Sequence, residues 1–306
     1  MSNTPKPSGT YSPVLMPFNA DLSVDVDRLI GFCRWLKTQD CKLAIFGTNS
    51  EANSLCVEER MDILDQVIEA GTSPDDLMPG TGCCAMSDTV KLSAHAAKHG
   101  CGGVLMLPPF FYKGVSDEGL YRSYSEIIER VGDARLRVYL YHIPPIAQVG
   151  ISLKLIERLT KAYPDTVVGM KDSSSDWSNM KAVMETFPGF DMFCGAEDFL
   201  LGTMRLGGAG CISAIANVRP QAIQHLYNNW QSDEAEALQQ ELIDFRAILT
   251  AQAPIPSLKR TVAHYSGNDE WNRLRPPLVE LDENTGNSLI SSLEAYGFDM
   301  PGLKDA

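Results

Sequence analysis

Val167-Val168-Gly169-Met170-Lys171-Asp172-Ser173-Ser174 is a short apolar run that closes on a lysine and then turns polar. Arg137-Val138-Tyr139-Leu140-Tyr141-His142, about one helix length upstream, is built the same way and stops at Ile143-Pro144-Pro145. Runs this short, rich in β-branched and aromatic residues and ending in turn formers, read as strands. Six others share the character: Val14–Phe18, Lys42–Phe46, Leu77–Gly80, Gly103–Leu107, Asp191–Cys194 and Cys211–Ala214. Most are continuous rather than alternating, as expected of a parallel sheet covered on both faces.

Amphipathic helical patterns fill the intervals. Val57–Ala70 places Met61, Leu64, Val67 and Ile68 on one stripe, with Glu58, Glu59, Asp62 and Asp65 elsewhere. Ser87 and Ser116 read as N-caps, and Gly71 and Gly100 as helix C-terminal glycines. Strands each followed by a helix predict an α/β fold, a closed (β/α)8 TIM barrel rather than an open doubly wound sheet. Beyond Arg219 the β signal stops, and Gln221–Trp230, Glu234–Ala251 and Ile255–Ala263 read as helices. The expected organisation is a polar N-terminal tail over 1–10, a barrel core over 11–218 and a C-terminal helical extension over 219–306.

A length of 306 residues suits one barrel with such an extension. Lys and Arg number 26 against 39 Asp and Glu, a net charge of −13, so the chain lacks the basic surface that nucleic acid requires. No stretch has the length of a membrane span and the N-terminus has no apolar core of a secretion signal, so the cytoplasm is the expected location. The eight cysteines are scattered through apolar runs without a C-x-x-C pair, and no histidine cluster completes a zinc set. Buried free thiols, no disulfides and no metal are expected, with Cys83-Cys84 a weak redox signal.

In a barrel the chemistry sits where the strands end at their C-termini. Lys171 ends an apolar strand, where it is either a snorkelling or Asp172-paired lysine or a nucleophilic amine activated by desolvation. Alternation places Tyr139 and Tyr141 on one face, as proton shuttles or as space-filling rings, and turns His142 away as a structural histidine. Gly47-Thr48-Asn49-Ser50-Glu51 follows another strand and could offer backbone N–H groups to a carboxylate, or be an ordinary turn. Gly207-Gly208-Ala209-Gly210 precedes a strand instead of following one, so it is no dinucleotide fingerprint.

Gly47–Glu51, Tyr141-His142-Ile143-Pro144, Gly169-Met170-Lys171-Asp172 and Gly207–Ser213 occur in an order and at positions that resemble the dihydrodipicolinate synthase / N-acetylneuraminate lyase family. The resemblance runs from about Tyr11 to about residue 295. It implies a lyase, a class I aldolase or dehydratase acting on pyruvate or other 2-oxo acids through a lysine Schiff base, with no cofactor. By that resemblance Lys171 is the Schiff-base lysine, Tyr141 the proton donor and acceptor, and Thr48 the relay hydroxyl. Asn49, Gly195 and Ile212 match positions that hold or line the pyruvate end. The loop Pro108–Lys113 matches one whose tyrosine enters a neighbouring subunit's site; the simplest register puts Phe111 there, with Tyr112 one residue later as the relay candidate. A homotetramer built as a pair of dimers is implied with it.

Synthases of the family carry an arginine shortly after Tyr-x-x-Pro to hold the acceptor's carboxylate. Here the stretch is Pro145-Ile146-Ala147-Gln148-Val149-Gly150, with no arginine. An Ile or Gln cannot replace a bidentate clamp. The expected substrates are therefore sugar-acid-like 2-oxo-3-deoxy or 4-hydroxy-2-oxo acids, with Gln148 a candidate hydroxyl partner. Condensation of pyruvate with aspartate semialdehyde, with Lys113 as substitute cation, is the alternative, and a non-catalytic 2-oxo acid sensor is a remote one.

Overall fold

The computed structural model describes residues 6–305. Seven strands form one parallel sheet: β1 (Gly9–Ser12), β2 (Lys42–Leu43), β3 (Val104–Met106), β4 (Val138–His142), β5 (Val167–Asp172), β6 (Asp191–Cys194) and β7 (Gly210–Ile212). Their order is β2-β1-β7-β6-β5-β4-β3. The gap between the two ends is filled by Leu77–Gly80. The Met78 and Gly80 N–H groups donate to Leu43 and Ile45 at 2.9 and 2.7 Å, and Leu105 N–H donates to Pro79 O at 2.9 Å. Parallel bridges Leu43↔Leu77 and Gly80↔Leu105 flank this segment, so the sheet closes on itself as an eight-membered barrel.

The first strand differs from expectation. It is Gly9–Ser12, while Val14–Phe18 is buried beyond the ladder. Pro13 has no N–H to donate and ends the pairing. Leu15 N–H then donates to Asn217 Oδ1 at 3.0 Å, and Phe18 bridges back to Val24. Continuous hydrophobicity marked burial there, not backbone pairing. The barrel therefore starts inside the expected tail, whose residues 1–5 lie outside those described.

Tyr11, Ala44, Met78, Leu105, Tyr139, Phe193 and Ile212 form one buried cluster, a layer across the barrel's interior. Phe193 meets Tyr11 and Tyr139 edge-on at 5.5 and 5.7 Å between ring centroids. β5 contributes a glycine to this level. A Cβ on Gly169 would stand 2.5 Å from the Tyr139 ring and 2.5 Å from Asp191 O, so only glycine leaves the ring its space.

Ser116 caps the helix Asp117–Val131, and Gly100 ends Met86–His99 in the left-handed region. Ser87 is no cap; it lies inside Met86–His99, whose N-cap position is Ala85. After β7 the chain forms the helices Pro220–Asn229, Ala235–Thr250, Pro254–Ser266 and Glu283–Ala295. Among the described residues no helix is long and apolar enough to cross a membrane. All eight cysteines are free, but only Cys33, Cys41, Cys101, Cys194 and Cys211 are buried; Cys56 and Cys84 are exposed.

Candidate active site

β4 and β5 pair in a register that sets Tyr139 opposite Gly169 and Tyr141 opposite Lys171. An irregularity between Val138 and Tyr139 produces this alignment, so Tyr141 and Lys171 emerge one step above the packed layer. Lys171 is only 4 % exposed, and its Nζ lies 3.3 Å from the Tyr141 hydroxyl and 4.4 Å from the centre of that ring. Asp172 is not its partner: its carboxylate accepts from Asn179 Nδ2 at 2.6 Å and from Ser174 N–H at 2.8 Å on the other side of the strand. Among the described residues no carboxylate comes within ion-pair distance of Lys171. A buried amine left without an acid is costly as structure, which makes the position a candidate for function.

The Tyr141 hydroxyl is also 3.2 Å from Thr48 Oγ1, making a chain of Lys171, Tyr141 and Thr48. Thr48 belongs to the turn Thr48–Ser50, flanked by Phe46 and Glu51 in the left-handed region at φ 61° and 52°. Non-glycine residues hold that conformation only when their surroundings enforce it. Glu51 is held by Lys259 Nζ at 2.5 Å, both side chains being fully buried, and by Arg275 N–H at 2.9 Å. The helix Pro254–Ser266 thus braces the loop that carries Thr48. Burial lowers the Lys259 ammonium's proton affinity, and the Glu51 charge works against that shift.

Thr48, Asn49, Tyr141, Lys171 and Gly195 line one cavity of about 170 Å³. A Cβ on Gly195 would strike Ser173 Oγ at 2.1 Å and Asp172 O at 2.6 Å, so glycine is required where β5 and β6 close the floor. Ile212 lies below, in the packed layer, and does not line the cavity. Tyr112 and Phe111 stand 73 % and 72 % exposed and face each other edge-on, away from their own chain's cavity. Gln148 and Lys113 do not line it either. Gln148 ends the short turn Pro144–Ala147, and Lys113 Nζ donates to Ala147 O at 2.8 Å, tying that turn to the loop after β3.

Arg246 lines the cavity although nothing in the sequence pattern singled it out. It comes from the helix Ala235–Thr250, outside the barrel strands, and its guanidinium lies 3.2 Å from Glu197 and 3.5 Å from Asp198. Glu197 is fully buried and also accepts from Ser213. Burial raises its proton affinity, and Arg246 opposes that rise. A larger hollow of about 520 Å³, bordered by Trp35, Arg219, His225 and Tyr296, contains no lysine, cysteine, serine or threonine and so offers no nucleophile of the Lys171 kind.

Residues 6–296 match the sequence model of the dihydrodipicolinate synthetase family. The chain belongs to that family. An uncharacterized DapA-like lyase of Chloroflexus aurantiacus is 30 % identical over 292 residues, 94 % of this chain and 97 % of that protein. A probable 2-dehydro-3-deoxy-D-pentonate aldolase of Escherichia coli is 27 % identical over 298 residues, covering 95 % and 97 %. The crystal structure of dihydrodipicolinate synthase from Agrobacterium tumefaciens superposes with a TM-score of 0.87 at 30 % identity, covering 94 % of this chain and 98 % of that one. Dihydrodipicolinate synthase family members are lyases and aldolases, and this chain is of that kind.

Proposed function

We propose that the chain is a Schiff-base-forming lyase for sugar-acid-like 2-oxo acids, with Lys171 as nucleophile. The observation that carries this is the buried, acid-free Lys171 amine 3.3 Å from Tyr141, which is 3.2 Å from Thr48. The amine attacks C2 of the oxo acid, and Tyr141 delivers a proton to the departing oxygen, which leaves as water. The resulting iminium is the electron sink. Breaking C3–C4 sends that bond's electrons into it as an enamine, while Tyr141 and Thr48 take the proton from the C4 hydroxyl as the aldehyde forms. Protonation of C3 and hydrolysis release pyruvate and restore Lys171. Loss of a C3 proton and a leaving hydroxide gives the dehydratase variant of the same chemistry. Asn49 and Gly195 hold the pyruvate end, and Ile212 supports it from below.

Arg246 bears on the choice of substrate. As a cation at the cavity it is a substitute for the missing clamp, which favours aspartate semialdehyde as a second reading. Its charge, however, is already met by Glu197 and Asp198. A guanidinium flanked by two acids suits hydroxyls, which need both donors and acceptors, better than another carboxylate. This ranks the sugar-acid reading first. We further read the barrel, from Gly9 to about residue 218, as the unit that carries Lys171, Tyr141 and Thr48, and 219–306 as an extension that braces it and adds Arg246 to the cavity, working as a homotetramer in which the exposed Tyr112 reaches a neighbour's site.

Borohydride reduction with pyruvate should leave one adduct, mapped to Lys171 and absent from Lys171→Ala. Pyruvate release should then proceed best with 2-oxo-3-deoxy or 4-hydroxy-2-oxo acids. An adduct unchanged in Lys171→Ala overturns the site. Aspartate semialdehyde as the best acceptor overturns the substrate class, and an adduct without any turnover leaves the sensor reading.

A further inference from the structure

The helix Val57–Glu69 precedes the segment Leu77–Gly80, and the helix Met86–His99 follows it. Where these helices pack on the barrel's outside, Asp65 of the first meets His95 and His99 of the second. The two histidines stand four residues apart, on one helix face, with their rings 4.7 Å between centroids. Asp65 Oδ1 is 2.8 Å from His95 Nε2 and 2.7 Å from His99 Nε2, and one ligand atom from each residue lies within 4.8 Å of the others. Yet Asp65 Oδ1 and His95 Nε2 are both sealed from solvent without an aligned hydrogen bond. Buried polar atoms left unsatisfied at such close quarters call for a partner, and an ion is one of the few that fits.

We propose that Asp65, His95 and His99 bind a divalent transition-metal ion of the Zn²⁺ type. Two imidazoles and one carboxylate are a hard-to-borderline ligand set that Zn²⁺ takes at roughly 2.0–2.2 Å, leaving a fourth position for water. Tetrahedral bonds of that length separate ligand atoms by roughly 3.3 Å, so Asp65 must draw back by about half an ångström. Its side chain is 39 % exposed and has the room. His95-x-x-x-His99 was visible in the sequence, but the third ligand lies thirty residues upstream and only the fold brings it near. The ion's place in the architecture gives it a role. Leu77–Gly80 closes the barrel between β2 and β3, with one parallel bridge on each side and short backbone hydrogen bonds to Leu43, Ile45 and Leu105. A metal linking the helices on either side of it would clamp the wall at that point, with none of its three ligands among the residues lining the Lys171 cavity.

The test is titration of chelator-treated protein with ZnCl2, followed by calorimetry and thermal unfolding. One equivalent should bind at micromolar concentration and raise the midpoint, since a ligand of the folded state stabilises it. Asp65→Asn, His95→Gln and His99→Gln should each weaken binding by about tenfold or more while unfolding in urea like the wild type without metal. Co²⁺ should give a visible band without the thiolate charge-transfer absorption of a Cys83–Cys84 site. No stoichiometric binding at tens of micromolar overturns the proposal, as does binding retained in His95→Gln and His99→Gln, or a thiolate band.

Discussion

Tyr139 and Tyr141 stand two residues apart on one strand and face the same barrel interior, yet they are chemically different side chains. Tyr139 is sealed between Phe193 and Gly169, and its hydroxyl donates to Asp191 at 3.1 Å. Burial, and then the negative charge of Asp191, push its proton affinity far above that of a free phenol. Tyr141, one step higher, borders the cavity and touches a lysine and a threonine instead. Sequence spacing gives the two equal standing. What separates them is height along the barrel axis, because the packed layer ends between them and the cavity begins above it.

The sharpest way to break this comparison is to remove each hydroxyl in turn. Tyr141→Phe should leave borohydride-trapped adduct measurable but lower kcat by roughly 10²–10⁴, the usual contribution of one acid–base group. Tyr139→Phe should leave kcat within about twofold and cost about 1 kcal/mol of stability, the net worth of a hydrogen bond. Steady-state kinetics beside urea unfolding reads both. Equal losses of turnover in the two variants would mean that height is not what distinguishes them.

A smaller effect tests the lower layer alone. Gly169→Ala puts a methyl 2.5 Å from the Tyr139 ring and from Asp191 O. Overfilling a packed core costs about 1–3 kcal/mol. Denaturation of Gly169→Ala should show that loss, and Gly169→Ala combined with Tyr139→Ala should cost less than the two changes summed, because the contact with the ring is relieved while the one with Asp191 O remains. Strict additivity would place the strain elsewhere.

These contrasts also show what the sequence could disclose. Seven of the eight strand positions were readable because strand ends were marked by polar turns, and Lys171 stood out as a charge closing an apolar run. The first strand was not readable. Gly9-Thr10-Tyr11-Ser12 looks like a polar tail, whereas the more hydrophobic Val14–Phe18 is buried without ladder pairing. Tyr141 and Thr48 carried the right residue types, but their joining depends on the β4–β5 register and on the Glu51–Lys259 brace across 208 positions. Arg246 and Asp65 left no local trace, since each reaches its partners through tertiary packing of helices.

His142 extends the comparison to the outer face of the same strand, where burial rather than reaction sets the chemistry. It is 6 % exposed, and its Nδ1 accepts the Ile151 N–H at 3.1 Å. Burial lowers its proton affinity below the ordinary value of 6.5, with the charges of Asp172 and Asp176 offsetting part of the shift. As pH falls below 6.5, the unfolded chain takes up a proton at this position that the folded chain still refuses. The unfolded state then holds more protons, so stability rises with pH through that window and levels off above it. One such group contributes at most about 1.4 kcal/mol per pH unit. His142→Asn keeps an acceptor near the Ile151 N–H and removes the titration. Urea unfolding between about pH 7.5 and pH 5.5 should therefore show a shallower decline in the variant than in the wild type, whatever their absolute stabilities. Parallel declines would mean that His142 binds its proton equally in both states, and that burial on the outer face does not set its chemistry.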